Sequence, residues 1–209
     1  MSVDSKLVSI PLHWILMRLF TAIDLPGEML EKIGEFLARL RPLAKLRWTP
    51  VENLHITTKF IGEWPEARLQ EMVAALTVVQ DGILRAGCQP AHVQGRIANP
   101  PQAASLHHIA VRGVGWFPRV FWVGVHGGEP LMELARATEQ AVATLGVPLE
   151  ARAYSPHLTL ARVKDKVPMN PLIAAAGDPD FGVFQATSFF LYLSANGKYS
   201  KLAEFTLNS

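Results

Sequence analysis

The chain has 209 residues, 49% of them hydrophobic and 18% charged, an ordinary globular composition with ample material for a buried core. Its net charge of +2 excludes a broad electrostatic grip on duplex nucleic acid, although a protein that touches only a chain end or a small nucleotide needs no more. The single cysteine, Cys88, excludes an internal disulfide and fits a reducing compartment.

Residues 1–16 contain an apolar run, Leu7 to Leu16, broken by Pro11 and His13. It is too short to span a membrane and no small-residue cleavage site follows it. The expectation is an extension of unknown role, without expected order, ahead of a functional start at Met17. No other segment has the length and apolarity of a membrane-spanning helix, so a cytoplasmic protein without membrane contact is expected. A strand is predicted over 18–24. Pro26 then opens a helix over about 27–40, with Asp24 as candidate cap and Met29, Leu30, Ile33, Phe36, Leu37 and Leu40 as one apolar stripe. An extended piece, Leu46-Arg47-Trp48, leads through Pro50 to a strand over 54–61 that Gly62 is expected to end. A second helix is predicted at 65–79. Residues 81–105, rich in Gly and Pro, read as a long connection with room for one strand, and as either a flexible stretch or a lid.

Strands at 107–114 and 120–126 follow, joined by a turn around Phe117-Pro118. A helix at 129–145 stops at Gly146. A strand over 156–163, a short helix near 170–176 and two strands at about 183–194 and 199–207 complete the chain. Asn196-Gly197 is a strong hairpin signal between the last two. Strand–helix–strand patterns in each half point to an α+β fold with two related halves.

One short phrase occurs twice: His55-Ile56-Thr57-Thr58 and His157-Leu158-Thr159-Leu160. Residues two apart on a strand share a face, so each copy aims an imidazole and a hydroxyl in one direction. Seven histidines and ten threonines predict about a third of one His-x-Thr by chance, so two copies in similar apolar surroundings are informative. The alternative is two half-buried strands whose His and Thr satisfy local hydrogen bonds. Two proton-transfer groups, each beside a neutral donor, suit phosphodiester cleavage by general acid–base catalysis without a metal or a covalent intermediate.

The stretches Arg18 to Pro26, Arg47-Trp48, Glu52 to Glu63 and Ser155 to Arg162 resemble the two-histidine (2H) phosphoesterase superfamily. Within it they are most similar to the bacterial and archaeal RNA 2',3'-cyclic phosphodiesterases, formerly described as 2'-5' RNA ligases. The resemblance runs from about residue 17 to the C-terminus. It implies one bilobal domain over 17–209, with two pseudo-symmetric lobes, each an antiparallel sheet with flanking helices, enclosing a central cleft. Gly115-Trp116-Phe117-Pro118 matches a family Gly-x-Phe-Pro point that normally follows soon after the first motif helix, so residues 83–105 read as an insertion. The implied reaction converts an RNA or nucleotide 2',3'-cyclic phosphate to a 2'-phosphomonoester. His55 would donate a proton to the departing 3'-oxygen and His157 would activate water; the residues alone leave these roles interchangeable.

Thr57 and Thr159 are expected to donate to the nonbridging phosphate oxygens. Arg162, five after His157, resembles a phosphate-contacting arginine of the family, but strict alternation puts it on the wrong face unless the strand twists, bulges or ends there. Lys59 shares a face with His55 on strict alternation, and an exposed lysine at a strand end is the plainer account. Phe20 and Trp48 offer base stacking or ordinary core packing. The remaining histidines, 13, 92, 107, 108 and 126, sit in the extension, the linker or turns, or put one ring on each strand face. No zinc motif, nucleophile elbow, Walker loop or dinucleotide fingerprint occurs, so no metal and no cofactor is expected. The expected partner is an RNA or oligonucleotide with a 2',3'-cyclic phosphate end, and the expected state a monomer. Two rivals remain: 2'-5' RNA joining or hydrolysis of 2'-5' linkages at the same site, and a catalytically silent RNA-binding module on the same scaffold.

Overall fold

The computed structural model describes residues 16–88, 108–164 and 167–207, and residues 1–15 and 89–107 lie outside that description. Among the described residues the chain order is β1 (Leu16–Asp24), α1 (Gly27–Leu40), β2 (Arg47–Trp48), β3 (His55–Pro65), α2 (Leu69–Cys88), β4 (Ile109–Phe117), β5 (Val120–His126), α3 (Gly128–Ala143), β6 (His157–Arg162), α4 (Met169–Ala176), β7 (Asp180–Phe184), β8 (Ser188–Ala195) and β9 (Lys198–Thr206). Two antiparallel sheets result, ordered β3-β1-β8-β9 and β2-β6-β5-β4-β7.

The two sheets repeat one plan. In each, a motif strand (β3 or β6) pairs with a central strand (β1 or β5), followed by two more strands. The motif strands contact each other where the sheets meet. The lobes are nevertheless not the two halves of the sequence. The C-terminal hairpin β8–β9 completes the first sheet, while β2, from the N-terminal half, joins the second. Helices cross over as well: α1 packs against α4 and β7 of the second lobe, and α3 packs against β3 of the first. One continuous apolar core therefore runs through both lobes, with Ile33, Ile56, Phe121, Leu131, Leu134, Leu158 and Phe189 fully buried.

The structure corrects several boundaries. Gly62 does not end β3. It sits inside the strand at φ +86°, where the pairing with β1 slips by one residue, and the strand continues to Pro65. Only glycine takes that conformation without strain. Helix α2 starts at Leu69 and runs to Cys88, because Ile83 extends the stripe of Met72, Leu76 and Val79 onto the core. The first part of the expected connection is thus helical. The span expected as one strand, 183–194, is two: β7 pairs with β4 in the second sheet and β8 with β1 in the first. Sequence pattern does not reveal such a change of sheet, because both pieces are strand-like and only their pairing partners assign them to different sheets. Asp24 does not cap α1. Pro26 holds that position, its carbonyl accepting from the amides of Met29 and Leu30 at 3.0 Å each, while Asp24 faces the site described next.

Candidate active site

Each motif strand carries a β-bulge at the same place. Opposite β1, Ile56 and Thr57 face Ile23 and Ala22, then Thr58 is skipped and Lys59 faces Thr21. Opposite β5, Leu158 and Thr159 face Val123 and Trp122, then Leu160 is skipped and Ala161 faces Phe121. One extra residue inverts the alternation downstream. The fifth residue after each histidine therefore returns to the histidine's own face, as Phe60 in the first lobe and Arg162 in the second. The extra Thr58 is buried, with its hydroxyl 2.7 Å from that of Thr21.

The bulge also corrects the reading of Lys59. It is neither in the cleft nor exposed. It is turned to the core side, 7% exposed, where its ammonium donates to Glu139 Oε1 at 2.8 Å and to the Pro148 carbonyl at 3.0 Å. The same carboxylate oxygen accepts the Glu150 amide at 2.5 Å. Next along the chain, the half-buried Tyr154 donates its hydroxyl proton to the Thr57 carbonyl at 2.9 Å. These bonds tie the first motif strand to the segment that delivers the second.

Where the sheets meet, a cleft of about 440 Å³ is lined by His55, Thr57, Thr159, Arg162, Arg18, Arg47, Phe60 and Tyr199, among others. None of its lining residues is Asp or Glu. His157 shares the strand face of Thr159 and Arg162. Its ring packs edge-on to Phe117 with centroids 5.5 Å apart. Both imidazoles are oriented alike. Nδ1 of His55 lies 2.8 Å from the Asn53 carbonyl, and Nδ1 of His157 lies 2.7 Å from the Ser155 carbonyl. A carbonyl can only accept, so Nδ1 carries the proton in both rings and Nε2 is the nitrogen left to exchange protons.

The two histidines differ in their surroundings. The strand residue opposite His157 is Gly124, and the one opposite His55 is Asp24. Asp24 is held by the Tyr192 hydroxyl at 2.5 Å and the Lys201 ammonium at 2.6 Å. Burial and the Asp24 carboxylate keep the Tyr192 phenol protonated, well above its usual range. The His55 ring packs against Phe20 at 4.8 Å and Tyr199 at 5.2 Å. This desolvation pushes its pKa below the ordinary 6.5; the Asn53 carbonyl and Asp24 pull it up, and a charge on His157 pushes it down. The His55 imidazole should therefore titrate below pH 6.5 in an NMR titration. His157→Ala, by removing a like charge, should raise the midpoint. A wild-type midpoint at or above 6.5 would contradict this balance.

Of the sequence-predicted site residues, His55, Thr57, Thr159 and Arg162 line one cleft, with His157 on the adjoining strand positions. Trp48 also lines it while its indole N–H donates to the Ala44 carbonyl at 3.2 Å, and Phe20 is buried beneath, stacked on Tyr192 at 5.1 Å. His13, His92 and His107 lie outside the described residues. Sequence reasoning missed the supporting roles of Asp24, Tyr154, Phe117 and Tyr199. One signal for Phe117 was present. A Cβ on Gly115 would meet the Trp122 ring at 2.2 Å, so Gly115 admits Trp122, which packs on Phe117, which packs on His157. Arg47 lies directly opposite Arg162 in the β2–β6 pair. Two guanidiniums on one face repel unless an anion sits between them. Among the described residues no three His, Cys, Asp or Glu side chains gather in a metal-binding group, and no helix is long and apolar enough to cross a membrane.

The sequence model of the 2'-5' RNA ligase superfamily, the 2H phosphoesterases, matches residues 29–198. The chain belongs to this superfamily. An RNA 2',3'-cyclic phosphodiesterase of Methanocaldococcus jannaschii is 32% identical, over 85% of this chain and 91% of that protein. One of Archaeoglobus fulgidus is 29% identical, over 84% and 89% respectively. Among solved structures, E. coli LigT complexed with 3'-AMP superposes with a TM-score of 0.68 at 26% identity, covering 92% of this chain and 99% of that one. Family membership makes the chain an enzyme, a hydrolase of phosphodiester bonds, and accounts for its two-sheet architecture.

Proposed function

We propose that this 2H phosphoesterase hydrolyses RNA or nucleotide 2',3'-cyclic phosphates to 2'-phosphomonoesters, using His55 and His157 and no metal. The observation that carries this reading is the shared orientation of the two imidazoles. Each Nδ1 is tied to a main-chain carbonyl two residues back, leaving Nε2 of each ring to exchange protons; His55 lines a cleft with cationic and hydroxyl lining and no carboxylate among its lining residues, and His157 stands on β6 beside Thr159 of that lining.

A water must lose a proton as its oxygen bonds to phosphorus, and the ribose 3'-oxygen must gain one as its bond to phosphorus breaks. His157 in its neutral form accepts the water proton, and protonated His55 supplies the other to the 3'-oxygen, leaving the phosphate on the 2'-oxygen. The role assignment follows the family resemblance. The burial of His55 bears on it, because a ring that loses its proton readily is a strong acid toward an alkoxide. A phosphate anion in the cleft raises its proton affinity when substrate arrives. Thr57 and Thr159 donate to the nonbridging oxygens, and Arg162 with Arg47 offsets the charge that builds on them.

Incubating the purified protein with adenosine 2',3'-cyclic phosphate in EDTA should yield 2'-AMP. No turnover, or turnover only after divalent metal is restored, would reject the proposal. Supplying a matched 5'-hydroxyl RNA end in the same assay separates hydrolysis from 2'-5' joining by product. A silent binding module would give no product at any pH.

A further inference from the structure

We propose that Asp24 is a positioning residue that makes the two histidines unequal: its carboxylate, clamped by Tyr192 and Lys201 beside the His55 ring, holds that ring in its proton-donating form. The proposal rests on the phosphodiesterase reading for the reaction in which the proton is spent.

The two motifs are nearly identical, so their own residues do not say which ring gives a proton and which takes one. Their surroundings differ at one equivalent position. In each lobe a residue of the central strand lies directly opposite the histidine, Asp24 on β1 and Gly124 on β5. Opposite residues of an antiparallel pair project from the same face, with Cα atoms about 4.5–5.5 Å apart. The Asp24 carboxylate and the His55 ring therefore rise side by side. The second lobe has no room for a counterpart. A Cβ on Gly124 would come within 2.8 Å of the Arg112 carbonyl oxygen and 3.1 Å of His126 Nε2. A carboxylate accompanies one imidazole and is sterically barred from the other.

Asp24 acts through space, because the bonds around it are already made. Nδ1 of His55 is taken by the Asn53 carbonyl at 2.8 Å. Oδ1 of Asp24 accepts from the Tyr192 hydroxyl at 2.5 Å, and Oδ2 pairs with the Lys201 ammonium at 2.6 Å. Tyr192 stacks on Phe20 at 5.1 Å and Phe20 packs on the His55 ring at 4.8 Å, so one aromatic layer fixes both partners. The His55 ring is a wall between two hollows. On the cleft side stand Arg18, Arg47 and Arg162, with His157 next to Thr159 on β6. Behind the ring, a hollow of about 240 Å³ is lined by Asp24, Glu52, Tyr192, Tyr199 and Lys201, among others. Cations face the ring from the front, and negative charge reaches it from behind.

That arrangement answers a difficulty that burial creates. Packing on Phe20 and Tyr199 strips water from the ring and disfavours its charged form, the Asn53 carbonyl and Asp24 favour that form, and a charge on His157 works against it. Lys201 tempers the help from Asp24, since its ammonium offsets part of the same carboxylate.

The test reads titration and turnover in Asp24→Asn, Lys201→Met and Glu52→Gln. Asparagine keeps the shape of Asp24 and can still accept from Tyr192. The NMR midpoint of His55 should fall in Asp24→Asn and rise in Lys201→Met, with Glu52→Gln moving it least. Turnover of adenosine 2',3'-cyclic phosphate by Asp24→Asn should fall furthest behind wild type in alkali, the kcat deficit at pH 8 exceeding that at pH 5.5 by about five- to tenfold, with KM little changed. A merely structural role would lower kcat by one factor at every pH and leave the His55 midpoint in place, and that result overturns the proposal. So does a Glu52→Gln shift equal to that of Asp24→Asn. A gain in kcat at pH 5.5 without a loss at pH 8 would make His55 the base, which overturns it as well. Midpoints that move in the stated opposite directions in a protein that hydrolyses no cyclic phosphate would reject the phosphodiesterase reading and uphold the coupling of Asp24 to His55.

Discussion

His55→Ala and His157→Ala are each expected to lower kcat for adenosine 2',3'-cyclic phosphate by about 10²–10⁴ with a much smaller change in KM. Each removes one proton-transfer step while the guanidiniums and hydroxyls that bind the phosphate stay in place. If the two rings act in one transition state, the rate loss in the double variant should be far smaller than the product of the single losses, leaving the residual rate that binding and charge stabilisation alone provide. The pH–rate profile should lose one limb in each single variant, and the limb lost identifies which ring acts as acid. His157 is not core, so its replacement should leave thermal unfolding nearly unchanged, whereas His55→Ala also loses ring packing on Phe20 and Tyr199 and should lower the midpoint somewhat. A variant within threefold of the wild-type rate would remove that histidine from the mechanism.

Lys59→Ala carries the largest expected effect on stability, about 3 kcal/mol, read as a fall in Tm of roughly 6–12 °C for a chain of this size. The substitution strands a partly buried carboxylate and the Pro148 carbonyl together. Replacing both partners with apolar side chains, Lys59→Met with Glu139→Leu, should recover most of the loss, since an absent ion pair is less harmful than half of one. The pH dependence follows from Glu139. Burial pushes its carboxyl up, but the Lys59 hydrogen bond, the Glu150 amide and the Lys59 charge bring it below the ordinary 4.5. A carboxyl depressed on folding stabilises the fold above its ordinary pKa, and that stability is lost as pH falls through the lower folded value. The gap between wild type and Lys59→Ala should therefore close in acid. A constant gap from pH 7 to pH 3 would mean that lysine packing, not the charge pair, supplies the stability. Activity should fall too, because Glu139 and Tyr154 anchor the segment whose Ser155 carbonyl orients His157.

Much of the site was legible because its parts are local. A histidine and a threonine two apart need only a strand to face the same way, and two copies of the pattern stand out against chance. Helix α1 was readable from its stripe alone, since the periodicity that buries Met29, Ile33, Phe36, Leu37 and Leu40 is complete within it. The split of 183–194 between two sheets left only a slight mark, the polar Gln185, Thr187 and Ser188 between two strand-like pieces, and only their partners assign those pieces to different sheets. The supporting groups escaped notice for a related reason. Tyr192 meets Asp24 across 168 residues and Tyr154 meets Thr57 across 97, and neither pair carries a mark in its own neighbourhood.

The amino-acid sequence by itself determined the paired histidines proposed to react, the hydroxyls beside them and the strand–helix periodicity of each half, because these depend on spacings of a few residues. The tertiary structure decided which further side chains join them. The two bulges exist only in the register between each motif strand and a partner far away in the chain. By inverting the alternation after Thr57 and Thr159, they bring Arg162 and Phe60 to the cleft and send Lys59 into the interior. Alternation within a strand is a local rule, but where it breaks is set by the neighbouring strand, whose pairing no short stretch of sequence contains.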